Sequence, residues 1–169
     1  MDETLANLRM TFCQEETDTK IIVHLSDCIR SGHDNVIVNT AYTDVVTLVL
    51  AYQPYFKRPC HIIIDFNFGS NRGFYDINKI GCSIPTDVLP GLMFFYVFTG
   101  SDVTSSFYQL SKVTWWNLWC NNIFITPVFS KLSWTPRAIT ESDFTDIERF
   151  VCMAYDPQKR FNVTDINKL

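Results

Sequence analysis

Three short segments place carboxylates at the starts of helices or the ends of strands and helices, and those are side chains whose placement could do chemistry. The segments are Gln14-Glu15-Glu16-Thr17-Asp18-Thr19-Lys20, Ala41-Tyr42-Thr43-Asp44-Val45, and Thr99-Gly100-Ser101-Asp102-Val103-Thr104-Ser105-Ser106-Phe107. Acids of this kind cap helix N-termini, where each complements the helix dipole by about 0.3 to 1 kcal/mol. Carboxylates also hold metal ions, and they count as negative charge until the metal arrives. The net charge of -4 therefore weighs against unaided nucleic-acid binding, which draws on clustered Lys and Arg, but it does not exclude a nuclease.

Other reactive residue types point elsewhere. The six cysteines are dispersed, form no C-x-x-C pair, and share no zinc-like spacing with His24, His33 and His61, so they read as reduced, mostly buried thiols of an intracellular protein. Trp115, Trp116, Trp119, Phe124, Phe129 and Trp134 could stack bases, but without interleaved Lys or Arg they read as helix packing. Lys57, Arg58 and Arg72 could touch a phosphate backbone or stand as solvated surface charges. The first residues carry acids and no basic-then-apolar leader. No stretch reaches the roughly 18 apolar residues of a membrane span, so a soluble, intracellular protein, nuclear or cytoplasmic, is expected.

The acids need elements to position them. Ile21, Ile22, Leu25, Cys28 and Ile29 recur every three or four residues, which predicts a helix over Glu15 to Ser31 stopped by Gly32. Asn35 to Thr40 reads as a β-branched strand and Asp44 to Ala51 as a helix. His61 to Phe66 reads as a second strand, with Asn67 to Gly73 turning the chain back into Phe74 to Ile77. Leu89 to Thr99 reads as a core helix with Pro90 in its first turn. Val113 to Cys120 is a further helix. A last one starts at Thr140 and runs towards Tyr155 with Phe144, Ile147, Val151 and Met153 inward. This order suggests a mostly parallel sheet flanked by helices, whose functional groups cluster where strands end and helices begin, hence at Thr40 to Asp44.

Taken together and in order, the three segments resemble the PIN-like domain of the flap-endonuclease superfamily, in particular a transposon-associated eukaryotic group. That group shows E-E-A-D-T-K/R-I, D-T-D-V after a strand, F-G-x-G, and F-T-G-C-D-T-x-S-x-F. The matching strings here are Glu15 to Ile21, Tyr42-Thr43-Asp44-Val45, Phe68-Gly69-Ser70-Asn71 and Phe98 to Phe107. Similarity continues through Thr114-Trp115 and Ile147-Glu148-Arg149-Phe150, covering nearly the whole chain.

The resemblance implies a partial PIN-like α/β domain over residues 1–110 with a helical extension over 111–169. It implies Glu16, Asp18, Asp44 and Asp102 as catalytic and metal-ligating residues, and Mg²⁺ or Mn²⁺ as the cofactor. Magnesium is hard and oxygen-seeking, and paired ions about 3.5 to 4 Å apart serve phosphodiester cleavage. Lys112 and Arg72 are the expected nucleic-acid contacts, with DNA ahead of RNA. Glu15 points about 100° away from Glu16 on a helix.

Two departures bear on activity. Tyr42 stands where the pattern has an Asp, replacing an anionic ligand with a phenol. Beyond Phe107, the family's G-K-G-K-K-T-A-W becomes Tyr108-Gln109-Leu110-Ser111-Lys112-Val113-Thr114-Trp115, without its glycines and with Lys112 as its lysine. The family's first strand and upstream acids would precede Met1, so an upstream segment or another protein chain is expected to complete the sheet; Leu8 to Phe12 could supply a substitute strand. The expectation is an impaired metal-dependent nuclease domain. Its alternative is a non-catalytic interaction module or mobile-element remnant that keeps the scaffold.

Overall fold

In the computed structural model, which describes residues 17–101 and 104–156, the expected apolar stripe lies along α1, Thr17–Arg30. Ile22, Leu25 and Ile29 are buried on it. Its end is a Schellman turn: Gly32, at φ +98°, lets its own N–H reach Ile29 O and that of His33 reach Cys28 O. The chain divides into two compact units, Met1–Ile84 and Pro85–Leu169.

In the first unit, α1 leads into β1 (Asn35–Thr40), α2 (Thr43–Tyr52), β2 (His61–Phe68), β3 (Asn71–Asp76) and α3 (Ile77–Ser83). The strands are ordered β1-β2-β3. β1 pairs with β2 in parallel from Asn35 opposite His61 to Thr40 opposite Phe66. β2 and β3 are antiparallel, so the sheet is mixed, and the expected mostly parallel arrangement is corrected. The cause is local: pairing runs out to Phe68 and Asn71, leaving only Gly69 and Ser70 as the loop. Gly69, at φ +60°, supplies the first loop position of a tight hairpin, which can only join antiparallel strands.

Alternation then sorts the sheet's two faces. Val38, Thr40, Ile62 and Ile64 are buried on one, whereas Ile37 and Phe74 on the other are 66% and 63% exposed. α1 packs against α2 and β1, and α3 against α2, β2 and β3. α3 was not foreseen. Asp76 ends β3 and caps α3 by accepting the Lys79 N–H at 3.1 Å, so the strand stops one residue short of Ile77.

The second unit is helical among the described residues: α4 (Leu92–Phe98), α5 (Lys112–Asn121), α6 (Thr126–Trp134) and α7 (Glu141–Tyr155). Its centre is aromatic. The Phe129 ring lies 5.3 Å from Phe94, 5.6 Å from Phe98, 5.0 Å from Trp119 and 5.5 Å from Phe150, centroid to centroid. Gly91 packs closely here: a Cβ would meet the Trp119 ring and the Phe129 Cβ at 3.1 Å. Trp115 and Trp119 are fully buried, so they serve packing, and the Trp119 indole N–H donates to Thr126 Oγ1 at 2.9 Å.

α7 carries a capping box between Thr140 and Asp143, and Lys131 reaches the same carboxylate at 2.6 Å. These bonds hold the Asp143 carboxyl down at about 2. Phe144, expected inward, is 54% exposed in the first turn, and burial on α7 centres instead on Phe150, Val151 and Cys152. No helix among the described residues is long and apolar enough to cross a membrane.

Phe129→Ala should destabilise the protein by about 3 to 5 kcal/mol, because it empties the meeting point of four helices. Urea unfolding followed by tryptophan fluorescence would measure the loss.

Candidate functional site

The β1–α2 junction carries Asp44, the one expected metal ligand whose side chain lies among the described residues, with Tyr42 beside it. β1 ends at Thr40, which is buried, and its Oγ1 accepts the Tyr42 N–H at 3.1 Å. Tyr42 is the N-cap of α2, in extended conformation and with no capping bond from its side chain. Its phenol projects outward, 59% exposed. Asp44 follows in the first turn, half-buried, and its Oδ1 accepts the Val45 N–H at 2.8 Å. Beyond it, Val45 and Val49 are completely buried, which fixes the helix about its own axis.

The remaining expected ligands are seen less fully. Asp18 falls in the first turn of α1, its side chain outside the described portion. Glu16 and Asp102 lie outside the described residues, as do Glu15 and Leu8 to Phe12. Among the described residues, no three His, Cys, Asp or Glu side chains stand together as a metal site. Asp44 beside Tyr42 offers one carboxylate where magnesium is ordinarily anchored by several oxygens, so this junction does not by itself fit a divalent ion.

Both expected nucleic-acid contacts are engaged within their own units. Lys112 opens α5, and its ammonium donates to Tyr96 O at 2.9 Å, to Thr99 Oγ1 at 3.0 Å and to Gly100 O. It also lies 4.1 Å from the Tyr96 ring centroid. A cation at the C-terminal end of α4 satisfies carbonyls that the helix leaves unpaired. Burial pushes its pKa below the ordinary lysine value.

The neighbouring Thr99-Gly100-Ser101 segment is equally structural. Thr99 donates to Phe95 O at 2.8 Å, and Gly100 adopts φ +103° where a Cβ would strike Ser106. Ser101 and Thr104 bond one another through their backbones. In the loop before Lys112, Gln109 takes φ +58°.

Arg72, on β3, grips Asp65 of β2 with two bonds, Nε to Oδ1 at 2.8 Å and Nη2 to Oδ2 at 2.7 Å. Asn39 of β1 donates to the same carboxylate at 3.0 Å, so three adjacent strands are tied by one charge. Asp65 is 6% exposed although it lies on the open face. The Arg72 hydrogen bonds, ahead of the one from Asn39, hold its pKa below the ordinary carboxylate range. The Arg72 guanidinium also stacks 5.1 Å from the Phe74 ring centroid. Sequence reasoning passed over Asp65 as part of an apolar run; a lone acid amid Ile62, Ile63, Ile64 and Phe66 was the available signal.

On the opposite face a shallow apolar pocket of about 290 Å³ is lined by Thr43, Val46 and Thr47 of α2, Phe66, Tyr75 and Ile80. It carries no charged group. No protein-family model, curated protein or solved structure matches this chain.

Because Asp65 has a lowered pKa in the folded protein, its contribution to stability is present above about pH 4, the unfolded value, and drains away as pH falls through the folded one. Arg72→Met should move the Asp65 titration upward and shift acid destabilisation to higher pH. Carboxyl-detected NMR titration together with urea midpoints between about pH 2 and 7 would register both changes.

Proposed function

We propose that this chain is a PIN-like domain of the flap-endonuclease superfamily, derived from a divalent-metal-dependent nuclease and impaired in phosphodiester hydrolysis. The observation that carries the reading is the position of Asp44. It stands in the first turn of α2, immediately beyond the C-terminal end of β1 in a parallel β-α-β unit, which is where open α/β sheets bring functional groups together.

Under this reading Glu16, Asp18, Asp44 and Asp102 are the inherited ligands of Mg²⁺ or Mn²⁺. When bound, such ions supply an activated water and neutralise charge on the leaving oxygen. Tyr42 offers a phenol where the pattern has a second carboxylate, which weakens the ligand set. Engagement of Lys112 as a helix cap and of Arg72 by Asp65 leaves little cationic grip for a nucleic-acid strand, DNA ahead of RNA. The exposed Ile37 and Phe74 favour a second reading, an interaction module that keeps the scaffold without the chemistry.

Calorimetric titration with Mn²⁺ separates the two. Tyr42→Asp should raise metal affinity by about tenfold or more over wild type, the effect of returning a hard anionic ligand. No gain would discard the inherited site and leave the interaction module. Cleavage of flap and single-stranded DNA and RNA should be weak for the wild type. Robust wild-type cleavage abolished by Asp44→Ala and by Asp102→Ala would show instead that the site is intact.

A further inference from the structure

We infer that Cys28 and Cys60 are a peroxide-responsive thiol pair, which oxidation joins into a disulfide that fastens the end of α1 to the start of β2. Both are free thiols in the structure, and both are tied to one turn. The His33 N–H donates to Cys28 O at 3.2 Å, and the His61 N–H, next along from Cys60, donates to Asp34 O at 2.8 Å. Arg58 reinforces the second tie by donating to Asp34 Oδ1 at 2.6 Å. The last turn of α1 and the residues entering β2 are thus anchored to consecutive positions, 33 and 34.

Strand alternation sets the direction of the Cys60 thiol. Asn78 spans Cys60 O and Ile62 N with its amide, which keeps residue 60 in line with β2. Cys60, Ile62 and Ile64 therefore share one side of the pleat, and all three are buried. This is the covered side, where α1 packs on β1. Cys28 stands half-buried in the last turn of α1, next to the buried Ile29. The two sulfurs also sense each other: burial first, then Asp34 and more weakly Cys28, push the Cys60 thiol above its ordinary pKa, against Arg58.

Cys28, the more exposed, meets the oxidant first. Its thiolate attacks one oxygen of hydrogen peroxide; the S–O bond forms, the O–O bond breaks, and the released hydroxide takes a proton and leaves as water. The Cys60 sulfur then attacks the Cys28 sulfenic acid, forming the S–S bond, while the displaced hydroxide takes the Cys60 proton and leaves as a second water. Two thiols lose two electrons and one peroxide gains them.

The test is to oxidise the folded full chain with dilute hydrogen peroxide, block remaining thiols and digest with trypsin without reduction. Peptide 21–30 should be recovered joined to peptide 58–72, and hydrogen exchange at the Gly32 and His33 amides should slow about tenfold. Dithiothreitol should reverse both changes, and Cys28→Ser, its fold checked by circular dichroism, should show neither. Unlinked peptides, or Cys28 and Cys60 joined chiefly to the exposed Cys82 and Cys120, would overturn the inference. An equal yield of the linked pair in concentrated urea would do so too, since the fold would then play no part in bringing the thiols together. Linked peptides with unchanged exchange would refute the fastening of α1.

Discussion

Parallel pairing between β1 and β2 constrains the first unit more than any other interaction. It sets Asn39 beside Asp65 and Thr40 beside Phe66, and both neighbourhoods follow from that register. On one face it lets a single buried carboxylate collect Asn39 and Arg72 from the flanking strands. At the strand end it seats Thr40 against the covered face, where its hydroxyl can hold the entry to α2. A slip of one residue would turn each side chain of β1 to the opposite face, expelling Val38 and Thr40 and burying Asn39 in an apolar layer. The unit therefore has little latitude in how it presents the junction.

The second unit solves a different problem, how four short helices hold together. Individually such helices are marginal in water, and tertiary packing must supply their stability. Phe129 does so from α6 by touching rings on α4, α5 and α7. Lys112 adds an electrostatic tie between the start of α5 and the carbonyl end of α4. That lysine meets the capping requirement of a helix end. Its three acceptors are protein oxygens, and the ring of Tyr96 closes over it.

Elements with strong period or punctuation were legible. α1 could be read from the stripe ending at Gly32, and β1 from the consecutive β-branched residues Val36, Ile37 and Val38, because local chemistry and tertiary packing agree there. α6 was not foreseen, although Pro127 suits the first turn of a helix. α3 was missed because seven residues carrying Gly81 give almost no periodic signal. The hairpin was read as a wide turn, since the Asn- and Gly-rich residues after Phe66 do not reveal that pairing continues to Phe68. Within the site, the placement of Asp44 after a strand could be read from the order of elements. Asp65 could not, because what makes its burial tolerable is an arginine seven residues on and an asparagine on another strand. Glu16 and Asp102 lie outside the described residues.

The bare sheet face has a consequence for handling the protein. Ile37 and Phe74 present hydrocarbon to water on the open face of the sheet, which draws molecules together at short range. Like-charge repulsion opposes that attraction, and with an isoelectric point near 5.2 it weakens steadily as a buffer is acidified towards that value. Colloidal stability is thus set from outside the fold, by pH and salt, and mildly alkaline, low-salt solutions keep the molecules apart.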